Sequence, residues 1–480
     1  YRAREEGAVT RLPDLRLAAA LATAKGTYRA TQLLGRSGGT ALPGLVAERI
    51  DPQLIGKLAA RLPEGAIVIA GTNGKTTTAR MLAEILTAAG KTVLNNGAGS
   101  NLSRGIAASF ARQSSLLGRP DADIAVIETD EGAFPAVVAA VRPRVIVLNN
   151  LFRDQLDRYG ELNSVASKWK GALSCIAPDT HLVFDADDPT LCALAEAAPP
   201  GITRVPFGLG QHDYTLPELT HAADAVLCTK CGTPLAYHAL SVGHLGDWYC
   251  PTGDNARPPL AFAATNIRLL GMEGVTFSVS RGGESLCDVA TNVPGLYNVY
   301  NALGASAAAA TLGVAPATVA AALRTFVAPF GRIERVALRE RRLTLALIKN
   351  PTGANEVLRL VTTAPPAPLL ICINDLIADG RDVSWLWDTD FEMLADYPAP
   401  ISVSGIRALD MAIRLKYAGV PESRITLVPE IVDALVAVAE DAAVGCDVYV
   451  LPTYTAMLAA REALHTLGAL RDVWATAERR

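Results

Sequence analysis

The stretch Gly71-Thr72-Asn73-Gly74-Lys75-Thr76-Thr77-Thr78 is the part of the chain from which its fold follows. It comes directly after the β-branched run Ala66–Ala70 and leads into a helical pattern with Met81, Leu82, Ile85 and Leu86 on one face and a stop at Gly90. Strand, glycine-bearing turn and helix start in that order make a phosphate loop. The glycines let backbone N–H groups turn inward, and the helix N-terminus adds positive potential. Lys75 can then reach the β- and γ-phosphates while the Thr76 hydroxyl ligates Mg²⁺. The loop is a shortened form, because Ile69 stands where the full pattern has its first glycine. Gly71, Thr72, Asn73, Gly74, Lys75, Thr76 and Thr77 are the expected ATP contacts.

Outward from the loop, short apolar runs at 92–94, 124–127 and 145–148 alternate with helical stretches, which predicts an α/β fold with a parallel sheet covered on both faces. Residues 1–43 are rich in Ala, Arg and Leu and read as a helical entry segment, with Leu15, Ala18, Ala19 and Ala22 at helical spacing. Residues 44–330 read as the central ATP-binding domain. Within it, 222–258 changes to Cys, His, Gly and Pro without periodicity and reads as an insertion. A second α/β pattern fills 331–480, with strands expected at 343–348, 369–373, 401–404, 425–428 and 448–451.

Composition narrows the function classes. With 480 residues, half of them hydrophobic and 19% charged, the chain has several domains and is not disordered. The net charge of −4 advertises no surface for nucleic acid. No apolar run reaches the length of a membrane span, and no signal-peptide segment is visible. Eight cysteines are too few for a disulfide scaffold, and three of them, Cys228, Cys231 and Cys250, cluster as metal ligands do. The expected location is a reducing cytoplasm, free or peripheral at the inner face of the membrane.

The shortened loop resembles that of the Mur ligase superfamily, and further motifs follow in order over about 280 residues. Asn150-Leu-Phe-Arg-Asp154-Gln155-Leu-Asp157-Arg158-Tyr159-Gly160 is similar to the family's N-x-x-x-D-H-x-D-R-Y-G, with Gln155 for His. Glu128 stands at the family's Mg²⁺-binding acid. Gly295-Leu-Tyr297-Asn298-Val-Tyr-Asn301-Ala resembles G-x-H-N-x-x-N-x-x-A, Phe330-Gly331-Arg332-Ile-Glu334 resembles G-R-x-E, and Lys349-Asn350-Pro351 resembles H-N-P. The resemblance implies that Asn301 and Arg332 hold the nucleotide, that Thr76 and Glu128 hold Mg²⁺, and that Lys168 or Lys170 is a candidate for carbamylation.

Two features resemble one branch of that superfamily, the synthase subunit of lipid II isoglutaminyl synthases. One is the Cys-rich insertion, which in that branch is a zinc ribbon. Here Cys228, Cys231 and Cys250 remain, but Gly253 replaces the fourth thiolate, leaving His244, His238, Asp247 and Asp254 as candidate substitutes for a structural Zn²⁺ site. The other is Asp379-Gly-Arg-Asp382-Val-Ser-Trp385-Leu-Trp387-Asp388 in a Rossmann-like C-terminal domain. The branch implies ATP-dependent amidation of the α-carboxyl of D-glutamate in the lipid II stem peptide, with ammonia from a GatD-like class I glutamine amidotransferase subunit. One acid of this loop, Asp388 before Asp382 and Asp379, is expected to orient the partner's catalytic His. Cys175, Cys192, Cys287, Cys372 and Cys446 have no partnered His in the sequence pattern and read as buried structural thiols. A folylpolyglutamate-type or other amino-acid ligase, and a non-ligating ATP-binding scaffold, are the alternatives.

Overall fold

The computed structural model describes residues 14–33, 41–97, 101–154, 162–253, 255–328 and 332–470. Its strands in chain order begin with β1 (Ala66–Ala70), β2 (Val93–Asn95), β3 (Ile124–Glu128), β4 (Val145–Leu148), β5 (His181–Asp185) and β6 (Thr203–Leu209). A hairpin follows, β7 (Ala236–Val242) and β8 (Leu245–Tyr249), and then β9 (Phe262–Leu269), β10 (Val275–Arg281) and β11 (Glu284–Thr291). All but the hairpin form one nine-stranded sheet in the order β11-β10-β9-β6-β5-β4-β1-β3-β2. It is parallel from β2 to β9 and antiparallel at the β10–β11 edge.

The continuous apolar run of β1 is explained by burial on both faces. Val68 packs with Ile127, Ile146 and Leu148 on one face, whereas Ile67 and Ile69 pack with Val126, Val145 and Val147 on the other. That split is the two-residue period of a strand. The helix Leu15–Leu33 joins the first of these cores through Leu17, Ala20, Leu21 and Ala24. The sequence pattern had the helix but not its phase: Leu15 is 76% exposed, and Ala19 and Ala22 also face solvent. With alanine on every side, the hydrophobic contrast that fixes a helix's orientation is weak.

The insertion contains ordered structure that its composition concealed, since β7 and β8 pair antiparallel around Gly243, which has φ +60°. The C-terminal sheet contains β12 (Arg332–Leu338), β13 (Arg341–Ala346), β14 (Leu369–Cys372), β15 (Ile401–Ser404), β16 (Ile425–Leu427) and β17 (Asp447–Pro452). Their order is β12-β13-β17-β14-β15-β16, parallel except at the β12 edge. Strand β12, with three charged residues in seven, escaped the sequence reading because an edge strand needs little apolar patterning.

Candidate active site

The phosphate loop lies at the carboxyl end of β1, which is flanked by β3 on one side and β4 on the other, the usual place for a ligand in an open α/β sheet. Gly74 begins the Lys75–Ala88 helix at φ +82°, and a Cβ there would come within 1.9 Å of Asn301 Oδ1. No side chain fits. Thr72 Oγ1 donates to Phe152 O (2.9 Å), and Asn73 N donates to Asn150 Oδ1 (2.8 Å), so the segment after β4 holds the loop's outer turn. Asp188 in turn holds that segment by accepting from Leu151 N at 2.8 Å. Asn301 is buried beneath the loop, where Thr78 Oγ1 donates to its Oδ1 at 3.3 Å.

Two carboxylates meet the loop. Thr76 Oγ1 donates to Glu128 Oε1 at 2.9 Å, which brings together the two oxygen ligands expected for Mg²⁺, a donor set of the hard kind that ion takes. Glu128 is fixed by Asn96, whose Nδ2 donates to Glu128 O and whose Oδ1 accepts from Glu128 N, both at 2.8 Å. The second carboxylate, Glu131, was not singled out from the sequence. The Lys75 ammonium donates to it at 3.0 Å and to the carbonyls of Gly71 (2.5 Å) and Thr72 (3.1 Å). Burial pushes the Glu131 carboxyl above its ordinary range, and the Lys75 charge opposes that shift. The only available signal was a second acid three residues past a strand end, which is too common to read alone.

Beside the loop a cleft opens between the domains, lined by Asn73, Tyr297, Asn301, Thr352 and Glu356 among others. The C-terminal domain closes it through two residues of the Lys349-Asn350-Pro351 motif. Lys349 Nζ donates to Asp154 Oδ2 (2.6 Å), and Asn350 Nδ2 donates to Asn73 Oδ1 (3.0 Å) while its own Oδ1 caps the helix Pro351–Thr363. Glu356 is buried in this wall, and burial pushes its carboxyl to about 7 against the pull of Arg359. Because the folded pKa is raised, the folded form loses stability as pH rises from the unfolded value near 4.5 to about 7, by roughly 3 kcal/mol. Glu356→Gln should therefore flatten the pH dependence of chemical unfolding between pH 4.5 and 8. An unchanged slope would show that Glu356 does not carry it.

Several expected residues cannot be placed. Gln155 to Gly160, Asp254, Phe330 and Gly331 lie outside the described residues, as does the side chain of Arg332. Lys168 and Lys170 are both exposed and flank Trp169, whose Nε1 donates inward to Glu131 O at 2.9 Å.

Residues 69–244 match the Mur ligase middle domain, and residues 347–457 match the MurT ligase C-terminal domain. The lipid II isoglutaminyl synthase (glutamine-hydrolyzing) subunit MurT of Streptococcus pneumoniae is 32% identical over 455 residues, 94% of this chain and 97% of the relative. The chain belongs to the MurT family. The Staphylococcus aureus MurT subunit is 31% identical over 84% of this chain and 88% of its own. Among solved structures, a pseudomurein peptide ligase type C from Methanothermus fervidus superposes with TM-score 0.64 at 21% identity, over 85% of this chain and 80% of that one. MurF ligase from Thermotoga maritima in complex with ADP gives 0.60 at 12% identity, over 87% and 83%. These likenesses concern the fold.

In this MurT family member the thiols of Cys228, Cys231 and Cys250 lie within 4.8 Å of one another. Contacts with the side chain and backbone of Thr233 lower the Cys231 thiol to about 6, favouring the thiolate a metal needs. A Cβ on Gly253 would stand 3.8 Å from Cys250 Sγ, so the missing ligand leaves one corner open. The described substitutes are engaged elsewhere. His244 is buried and accepts from Asp224 N (3.3 Å), His238 stacks on Tyr249, and Asp247 pairs with Arg257. Of the remaining cysteines, Cys192 and Cys372 are buried as expected, but Cys175 and Cys446 are exposed and Cys287 is half-buried. Cys175 falls in a turn just past a helix end and Cys446 directly before β17, both in connecting segments where a thiol's apolar character says little about burial.

The acids of the C-terminal loop separate into different environments. Asp379 is buried and accepts from both Thr455 N (2.7 Å) and Thr455 Oγ1, which caps the Tyr454–Thr466 helix. Asp382 is exposed and accepts from Ser384 N at 2.8 Å. Asp388 is half-exposed and faces Arg153 of the central domain at 3.5 Å. The tryptophans divide likewise, Trp385 packing on the domain core and Trp387 standing 54% exposed.

Proposed function

We propose that the protein amidates the α-carboxyl of D-glutamate in the lipid II stem peptide to D-isoglutamine, using ATP and ammonia from a GatD-like glutamine amidotransferase. The observation that carries this reading is the pairing of Lys75 with Glu131 and of Thr76 with Glu128 at the carboxyl ends of neighbouring strands of one sheet, in a chain whose MurT relatives match it nearly end to end. A carboxylate does not react with ammonia, so it must first become an acyl phosphate. The γ-phosphoryl group passes from ATP to a carboxylate oxygen and ADP leaves. Ammonia then attacks the acyl carbon, the C–O bond to phosphate breaks, and nitrogen gives up a proton. Lys75 exchanges its loop carbonyls and Glu131 for phosphate oxygens and neutralises the transferring group. Mg²⁺, which Thr76 and Glu128 would hold, supplies further charge neutralisation when bound.

The test is to combine the purified chain with a glutaminase partner, lipid II, ATP and glutamine, and to follow amide formation by mass spectrometry alongside phosphate release. Phosphate release that does not depend on lipid II would overturn the reading. The same proposal places a structural Zn²⁺ on Cys228, Cys231 and Cys250, with solvent at the corner that Gly253 leaves open. Such a site should lose zinc to chelator readily, and Gly253→Cys should retain it far longer. Equal retention by both proteins would place the ion elsewhere.

A further inference from the structure

A solvent-open cavity of about 200 Å³ lies between the helices Leu15–Leu33, Leu42–Ile50 and Ser103–Arg112, and none of the phosphate-loop residues lines it. Its wall carries Lys25, Arg29 and Arg112 and not one carboxylate, and Tyr28 adds a half-buried ring. Lys25 Nζ donates to the Arg112 carbonyl at 3.2 Å, and none of the three cations has a carboxylate partner among the described residues. Lys25 is half-buried and Arg29 and Arg112 are exposed, so all three can reach an anion that enters from solvent, and guanidinium forks match phosphate oxygens in geometry as well as charge. The floor is Asn96, whose amide grips the backbone of Glu128 from the opposite side. A ligand here therefore abuts the proposed metal acid, away from the nucleotide cleft.

We infer that this cavity is the subsite for a phosphate-bearing group of the acid substrate, the diphosphate of a lipid-linked muramyl peptide, so that the peptide approaches the γ-phosphate past Asn96. The inference rests on the function proposed above and adds the seat of the substrate's anionic end. Small residues make the room: Ala24, Gly105 and Ala108 line the cavity, and Gly44 lets two of the helices touch, since a Cβ there would fall 1.7 Å from Arg104 O.

The test measures binding of a water-soluble diphosphate-linked muramyl pentapeptide, with inorganic pyrophosphate as competitor, to the full chain and two variants. Arg29→Ala combined with Arg112→Ala removes the charges, and Ala108→Phe fills the space and keeps them. Both should weaken peptide binding, and raise KM for the acid substrate, about tenfold or more, with ADP affinity and unfolding temperature unchanged. Pyrophosphate should displace the peptide from the wild type. Peptide binding undiminished in either variant, or absent from the wild type, overturns the inference, and so does displacement that fails in the wild type. If the wild type amidates lipid II and both variants do so with unchanged KM, the subsite is wrong and the proposed function stands. A wild type that binds the peptide in this cavity but amidates nothing sinks the function alone.

Discussion

Lys75→Ala should reduce lipid II-dependent phosphate release by about 10³-fold while the protein still folds. Lys75 is 6% exposed and its ammonium touches two loop carbonyls and Glu131, so it is the cation positioned to follow the phosphoryl group during transfer. Removing it also strands the Glu131 carboxyl in a buried site, at a cost of about 3 to 5 kcal/mol if that group stays ionised. Burial already pushes Glu131 toward its neutral form, so part of this cost is relieved by proton uptake. Adding Glu131→Gln to Lys75→Ala should restore thermal stability without restoring turnover. That contrast separates the chemical role from the structural one. Near-normal phosphate release in folded Lys75→Ala would remove the basis for the phosphate-loop assignment.

Glutamine-driven amidation should be abolished by Asp→Asn at Asp388 or Asp382, with ammonium-driven amidation retained, because a trans-acting carboxylate serves only the partner's histidine. Asp382 is exposed and Asp388 half-exposed, next to the exposed Trp387 ring, which meets Tyr417 at a tilt of 58° with centroids 5.8 Å apart. Asp379 has a different expectation. Its oxygens cap the last described helix through Thr455, so Asp379→Asn should lower stability by about 1 kcal/mol or more and reduce both activities together. Measuring both nitrogen sources on all three variants distinguishes these outcomes. If all three single variants retain glutamine-driven turnover, no acid of this loop acts on the partner.

The sequence by itself determined what is written in contiguous residues. Gly71 to Thr78 after an apolar run specify a strand, a turn and a helix start, because those preferences are local and the turn geometry admits only glycine at position 74. The parallel sheet followed from runs of β-branched residues, and the cysteine cluster from its spacing. Tertiary structure alone decided which distant groups meet. Glu131 reaches Lys75 across 56 residues, Asn96 reaches Glu128 across 32, and Asn350 reaches Asn73 across 277. It also set the phase of the Leu15–Leu33 helix, where alanine on all sides carries no preference, and it turned one face toward the core. It divided Asp379, Asp382 and Asp388 into a helix cap, an exposed turn and a domain-bridging acid. An aspartate reads the same in sequence whichever of these it becomes, because its role is fixed by the donors and the solvent around it, and those come from chain segments far away in the sequence.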